Sequence, residues 1–274
     1  MKFQLKALAA AMVLAAAVPA QAAIEFSSTG NGGLSLAVFD SVNNVSALFD
    51  LGKNYSDFSV IGASFADSNI DALGTNLSWN LTSGDYATAW NTFLSSANIA
   101  NLQFAVVGGD NNAGTAGNRG FISTLNAETA VGLTNTALFA QIGVWDQYLA
   151  DAQTDNGTVY QNHTLVENGA SVGNSGKANT QQYFANTGKN NAAGNVSVGN
   201  IGQSLAVFQQ VSGASTLSIG ASTIFANNAT FTLGTNGVLT YATAPVVEVP
   251  EADTWAMMML GLGFMGFVAR RKQA

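Results

Sequence analysis

Cysteine is absent from this 274-residue sequence, which excludes disulfide bonds, cysteine-ligated zinc sites and thiol nucleophiles. The single histidine, His163, excludes a metal site built from several imidazoles. Charged side chains make up only 9 % of the residues, against about 25 % in an average soluble domain. The few charges are unequal, 9 basic against 16 acidic, and the net charge of −7 leads us to expect no nucleic-acid partner.

The first 22 residues have the three parts of an export signal. Two lysines precede an apolar run over residues 7–18, and a cleavage site of the A-x-A type follows at Ala20-Gln21-Ala22. Signal peptidase accepts small side chains at the two positions that Ala20 and Ala22 occupy, so the mature chain is predicted to start at Ala23. The alternative is an uncleaved N-terminal anchor, but the run is shorter than the roughly 20 residues of a membrane span.

A second apolar segment lies near the C-terminus, over residues 255–269. It begins at Trp255, which suits a headgroup interface, and Arg270, Arg271 and Lys272 follow it at once. As a helix it would reach about 22 Å, against a hydrocarbon core of about 30 Å, so we predict a transmembrane helix that spans with snorkelling arginines or a thinned bilayer. The basic tail places this end in the cytoplasm and the body outside. A buried C-terminal helix of the body is the alternative.

Val249-Pro250-Glu251, the apolar helix and the basic tail together resemble the PEP-CTERM sorting signal of Gram-negative bacteria, also labelled the ice-binding protein C-terminal domain. In that family a membrane enzyme, exosortase, recognises a Pro-Glu-Pro motif and processes the protein. Ala252 stands here where the family has its second proline. The resemblance covers about residues 246–274 and implies a destination rather than an activity. It implies signal peptidase and an exosortase-like enzyme as partners, and exopolysaccharide at the cell surface as a third.

The body between the two signals, residues 23–244, is predicted to be a β-rich α+β ectodomain with a few helices, and an all-β two-sheet sandwich is the alternative. Apolar runs between turn residues predict strands over residues 34–39, 45–51, 102–107, 204–211, 215–225, 230–233 and 238–242. Apolar residues at helical spacing predict helices over 85–97 and 136–150. Residues 153–200 are rich in Asn, Gly, Ser and Thr and are predicted to form long loops. Residues 245–274 form the sorting signal.

Two patterns resemble catalytic motifs but lack their context. Residues 261–266 match the dinucleotide-binding pattern G-x-G-x-x-G, yet only eight residues follow Gly266. Residues 169–173 match the nucleophile elbow G-x-S-x-G around Ser171, yet the only histidine, His163, precedes the serine, whereas an α/β-hydrolase has it afterwards. We therefore expect no enzyme activity from either motif.

Two oxygen-rich stretches are candidates for calcium. The first consists of Asp151, Gln153, Asp155 and Asn156, and the second is Asp110-Asn111-Asn112. Asn156 stands where an EF-hand needs glycine, and Asp and Asn also favour turns by bonding to their own backbone. We expect no cofactor, with calcium at these stretches as the alternative.

Three functions are open for the body. The favoured one is a noncatalytic cell-surface or extracellular-matrix protein, because low charge and small polar residues accompany the two signals. The second is a glycan-binding or adhesive module whose tryptophans stack on sugars: Trp79, Trp90 or Trp145. The third is an extracellular hydrolase that uses two carboxylates within roughly 5–10 Å of each other. Its candidates are Glu128, Asp146 and Glu167.

Overall fold

A computed structural model of the chain describes residues 24–62, 65, 67–111, 118–125, 132–153, 163–166, 170–174 and 198–245. These residues form twelve strands, of which the first six are β1 (Gly33–Asp40), β2 (Val45–Asn54), β3 (Asn76–Asn80), β4 (Leu102–Asn111), β5 (Arg119–Leu125) and β6 (His163–Val166). The other six are β7 (Ala170–Asn174), β8 (Gly199–Asn200), β9 (Ser204–Val211), β10 (Ser222–Ile224), β11 (Thr230–Leu233) and β12 (Val238–Ala242). Two helices accompany them, α1 (Ala87–Leu94) and α2 (Asn135–Gln153).

All twelve strands belong to one antiparallel sheet. Its order is β3-β12-β11-β9-β5-β4-β1-β2-β7-β6, with β8 paired to β4 and β10 paired to β9. The described residues are therefore β-rich with two helices, as the sequence predicts. The strands belong to one hydrogen-bonded sheet. This sheet curls so that its two ends pack against each other, in place of the two separate sheets of a sandwich.

The curl is visible in contacts between strands that are far apart in the order. Trp79 on β3 donates its indole N–H to the carbonyl oxygen of Leu51 on β2 at 2.8 Å. Phe58, just after β2, stacks on Phe231 of β11 with ring centroids 5.8 Å apart. The concave face thus encloses a core to which both ends of the strand order contribute, and α1 adds Trp90 and Phe93 to it.

The opposite face of the sheet is covered by α2. Its residues Leu138, Ile142, Trp145 and Leu149 lie on one helical face and are all buried against the sheet. Strand β1 is consequently buried on both faces, which is why its sequence is mostly apolar on both faces rather than alternating. The helix predicted over 136–150 is confirmed.

The strands predicted over 34–39 and 45–51 are confirmed, and together they form a hairpin. Strands β1 and β2 pair in antiparallel register, and the turn between them places Asn44 at φ 56°. Asparagine adopts this left-handed region more readily than other side chains. The strands predicted over 204–211, 230–233 and 238–242 are confirmed as well, and helix α1 follows a short 3-10 turn within the range predicted from Asp85.

Other boundaries are corrected by the structure. Strand β4 continues through Gly108 and Gly109. A Cβ at Gly108 would lie 2.8 Å from Leu34, so the absence of a side chain lets the neighbouring strands approach each other. The strand predicted over 215–225 is reduced to β10. The long loops predicted over 153–200 contain the β6–β7 hairpin, while residues 154–162 and 175–197 lie outside the described residues.

Strands β3 and β5 were not predicted from the sequence. Both described helices are too short or too polar to cross a bilayer. The predicted transmembrane helix over 255–269 lies outside the described residues.

Candidate functional site

A polar side chain with five hydrogen bonds, that of Gln209, lies inside the fold. Gln209 on β9 accepts from the backbone N–H of Val60 at 2.8 Å and of Ile61 at 2.9 Å. Its amide nitrogen contacts the Ile61 carbonyl at 2.7 Å, the Ser59 hydroxyl at 3.1 Å and the Tyr55 hydroxyl. The residue is fully buried, and its amide fastens the segment after β2 to the sheet.

A small cavity adjoins this amide and is lined by Tyr55, Ser59, Asp110 and Arg119, among others. Its volume of about 10 Å³ has room for about one water molecule and is far below the roughly 300 Å³ at which ligand pockets start. Burial is the main cause that raises the pKa of Tyr55, and the negative charge of Asp110 raises it further. Tyr55 therefore stays protonated at neutral pH and acts as a hydrogen-bonding group.

The one buried cation of the described residues, Arg119, is held by neutral groups. Its Nε donates to Asn111 at 2.8 Å and its Nη1 donates to Asn135 at 2.7 Å. The guanidinium also lies 4.6 Å from the ring centroid of Phe139. These contacts join β5 to the first turn of α2, so the guanidinium serves the fold.

A carboxylate and an amide on α2 hold the start of the described chain. Asp146 accepts from the backbone N–H groups of Ser27 at 2.8 Å and Ser28 at 2.9 Å. Gln153, two helical turns later, bonds to both backbone groups of Ile24, donating to its carbonyl at 3.1 Å. Ile24 itself is buried in the core under α2. Asp146 is therefore occupied as a structural acceptor.

A second carboxylate, Asp50 on β2, is almost completely buried. Burial raises its pKa from an ordinary value of 3.8 to about 6, the charge of Glu25 adds to this, and the Gly52 N–H, at 2.8 Å, lowers it. Asp50 consequently titrates close to neutral pH, which the sequence alone did not indicate.

The structure places the sequence-predicted site residues as follows. Trp79, Trp90 and Trp145 are all buried, so the prediction that these rings stack on sugars is wrong. Ser171 lies buried within β7, paired with Leu48 of β2, and not in a strand-turn-helix elbow.

The other candidates from the sequence are His163 and the carboxylates of a hydrolase. His163 begins β6, with Gly173 opposite it. Of the paired-carboxylate candidates, Glu128 and Glu167 lie outside the described residues.

The two candidate calcium stretches are only partly described. Asp110 accepts from the Asn31 N–H at 3.3 Å, and Asn111 accepts from Arg119. Asp151 accepts from Gln147 at 3.1 Å, and burial raises the pKa of its carboxyl group. The described part of the chain brings no three His, Asp or Glu side chains together in a metal-holding group. Asn112, Asp155 and Asn156 lie outside that part.

Comparison with known families identifies the C-terminal end. Residues 248–272 match the family described as the PEP-CTERM protein-sorting motif. The chain carries a PEP-CTERM sorting motif. The match includes the Pro250-Glu251 pair and extends through Trp255 to the basic tail, so the family resemblance stated above is confirmed. No curated protein and no solved structure matches the chain.

The PEP-CTERM motif supports an exported protein that is processed through a C-terminal sorting signal, and exosortase is the enzyme that processes such signals. The individual residues predicted for this signal, and Ala20, Ala22 and Ala23 at the predicted signal-peptidase site, lie outside the described residues.

Proposed function

We propose that the chain is exported across the inner membrane, held there by the helix over 255–269, processed by an exosortase-like enzyme, and delivered to the cell surface or extracellular matrix. There the body acts as a noncatalytic, exopolysaccharide-associated protein. The observation that carries this proposal is the PEP-CTERM match at residues 248–272. The predicted signal peptide supports it, because a C-terminal sorting signal outside the inner membrane requires prior export.

The chemistry of the body supports a noncatalytic role. Catalytic carboxylates need an oxygen directed at a substrate, whereas both oxygens of Asp146 accept backbone N–H groups. The amide of Gln209 and the guanidinium of Arg119 likewise bond to the protein itself. These polar side chains therefore act in holding the fold together.

The test is the location of the mature chain with and without residues 249–274, in a host that contains the exosortase. The complete chain should pass from a membrane-bound form to a shorter surface form. The truncated chain should be released without that intermediate. Equal release of the two forms would show that residues 249–274 do not sort the protein.

Point variants separate motif recognition from general charge effects. Pro250→Ala and Glu251→Ala should accumulate the unprocessed, membrane-bound form, because the recognised pair is lost. Glu248→Ala removes an equal charge three residues earlier and is the matched control, which should be processed as the wild type is. Processing of all three variants at the wild-type rate would contradict exosortase recognition of this pair.

A further inference from the structure

The first residues of the body that the structure describes are tied to helix α2 through their backbone. Ile24 is only 2 % exposed, and the side chain of Gln153 bonds to both its N–H and its carbonyl oxygen, the latter at 3.1 Å. The carboxylate of Asp146 accepts the N–H groups of Ser27 at 2.8 Å and Ser28 at 2.9 Å. We call residues 24–28 the N-terminal segment.

Carbonyl groups of the N-terminal segment are bonded to the body as well. That of Glu25 accepts the N–H of Gly33 at 2.9 Å. That of Ser27 accepts the N–H of Gly30 at 3.0 Å, and the side chain of Ile24 lies in the core under α2. Backbone that is buried and hydrogen-bonded in this way has to be released from the fold before a protease can bind it.

The N-terminal segment begins next to a bond that has to be cut during export. The sequence predicts cleavage between Ala22 and Ala23, so Ile24 is the second residue after the cut. A peptidase holds residues on both sides of the cut bond in its cleft, in order to place that bond against its catalytic group. Ile24 cannot be held there while its N–H and carbonyl are bonded to Gln153. The folded body and signal peptidase therefore compete for the same residue.

The side chains that hold the N-terminal segment cross the membrane much later than the segment itself. Gln153 follows Ile24 by 129 residues, and Asp146 follows Ser27 by 119 residues. A contact over such a distance forms only after the intervening chain is available and its loop has closed. During translocation from the N-terminus, the segment is therefore free of these bonds until α2 has followed it across the membrane.

We propose that docking of the N-terminal segment on α2 closes the bond between Ala22 and Ala23 to signal peptidase, so that this cleavage precedes completion of the fold. This inference rests on the proposed function, because it requires the predicted export signal. The reaction is the hydrolysis of one peptide bond: water supplies a hydroxyl group to the carbonyl carbon of Ala22 and a hydrogen to the nitrogen of Ala23. A chain that folds first keeps its signal and is cut only through the small fraction in which the segment is released.

The full-length precursor, presented to signal peptidase before and after folding, tests this order. The precursor is either folded in detergent micelles or diluted from urea directly into micelles that contain the enzyme. The fluorescence of the buried tryptophans reports folding, and N-terminal sequencing of the product locates the cut. We expect cleavage before Ala23 to be about tenfold slower, or more, for the folded precursor, because only its locally opened fraction is a substrate.

Variants on α2 test whether docking is the cause of this protection. Gln153→Ala removes both bonds to Ile24 and should speed cleavage of the folded precursor about threefold or more, since the segment is then released more often. Asp146→Ala removes the other two bonds to α2 and has the same expected effect. Gln147→Ala is the matched control and should leave the rate unchanged, because this exposed glutamine on the same helix bonds to Asp151. Tryptophan fluorescence confirms that each variant is folded before the enzyme is added.

Three outcomes contradict different parts of the reasoning. Equal cleavage rates for the folded and the urea-diluted precursors would overturn the inference and leave the export signal intact. Slow cleavage of the folded precursor that neither Gln153→Ala nor Asp146→Ala accelerates would overturn docking on α2 as its cause. Absence of a cut before Ala23 in both preparations would overturn the predicted export signal, and the inference with it.

Discussion

Replacement of Asp50 by asparagine should stabilise the body at neutral pH and flatten its pH dependence. Folding raises the pKa of this carboxyl group from 3.8 to about 6 through burial and the charge of Glu25, so the native state favours the protonated form. The stability that this provides is complete below pH 3.8 and is lost as the pH rises through 6. Each tenfold change in proton affinity is worth about 1.4 kcal/mol, so the loss amounts to about 3 kcal/mol at pH 7.

The asparagine introduced by Asp50→Asn remains neutral at every pH, and its side-chain oxygen replaces the acceptor that the Gly52 N–H uses at 2.8 Å. The substituted protein should therefore exceed the wild type by up to about 3 kcal/mol at pH 7, or roughly 6–12 °C in Tm for a domain of this size. At pH 4 the two proteins should differ little. The assay is urea unfolding between pH 4 and 8, followed by the fluorescence of the buried tryptophans in a chain that ends before residue 249.

The difference between the two proteins isolates Asp50 and its interaction with Glu25, because titrating groups that do not interact with Asp50 contribute equally to both. Asp151→Asn is the control. Burial also raises the pKa of that carboxyl group, but Asp151 lies near the C-terminal end of α2, whereas Asp50 lies on β2. It should leave the pH dependence due to Asp50 in place. The reasoning is refuted if Asp50→Asn retains the wild-type slope of unfolding free energy between pH 4 and 7.

Three further substitutions test the bonds that hold the body together. Asp146→Ala removes the acceptor of two backbone N–H groups, including that of Ser27, and should cost about 1–3 kcal/mol of unfolding free energy, measured by urea unfolding. Gln209→Leu leaves several buried partners unsatisfied and should cost about 3 kcal/mol or more in the same assay. Gly120→Ala places a methyl group in the position of the Tyr55 hydroxyl and should cost about 1–3 kcal/mol, measured as a lower Tm.

Matched variants show what would contradict these three predictions. Gln147 lies next to Asp146 on the same helix and is exposed, and Gln147→Ala removes one side-chain bond, to Asp151 at 3.1 Å. A loss from Gln147→Ala as large as that from Asp146→Ala would deny the role of the two N–H bonds. Gly143→Ala has open space around its Cβ position, so a loss as large as that of Gly120→Ala would contradict the steric argument. Wild-type stability of Gln209→Leu would show that its amide bonds contribute nothing.

The parts of the fold that depend on local patterns were predictable from the sequence. Helix α2 was recognised because Leu138, Ile142, Trp145 and Leu149 recur at helical spacing, and all four face the sheet. Strands β1 and β2 were recognised from two apolar runs joined by an asparagine turn. The strand predicted from 102 was placed correctly but stopped too early, because glycine pairs within a strand have the same appearance as a turn.

The partner of each strand could not be predicted in the same way. Strand β3, with the sequence NLSWN, has a weak apolar pattern and pairs with β12 more than 150 residues away. The roles of Asp50 and Gln209 also depend on distant partners. A glutamine within the apolar run around Phe208 was a visible signal of a buried polar contact, but its partners at residues 55–61 follow only from the curl of the sheet.

The pairing of β3 with β12 determines when the body becomes complete during export. In the sheet order β3 has β12 as its neighbour, so a chain shortened before residue 238 leaves β3 without that partner and uncovers Trp79. Contacts between such distant segments form late, since a long loop must close first. Translocation from the N-terminus delivers β12 only a dozen residues ahead of the predicted membrane helix. A nascent chain thus gains the partner strand of β3 and the sorting signal at almost the same moment. A product that ends before residue 238 lacks both.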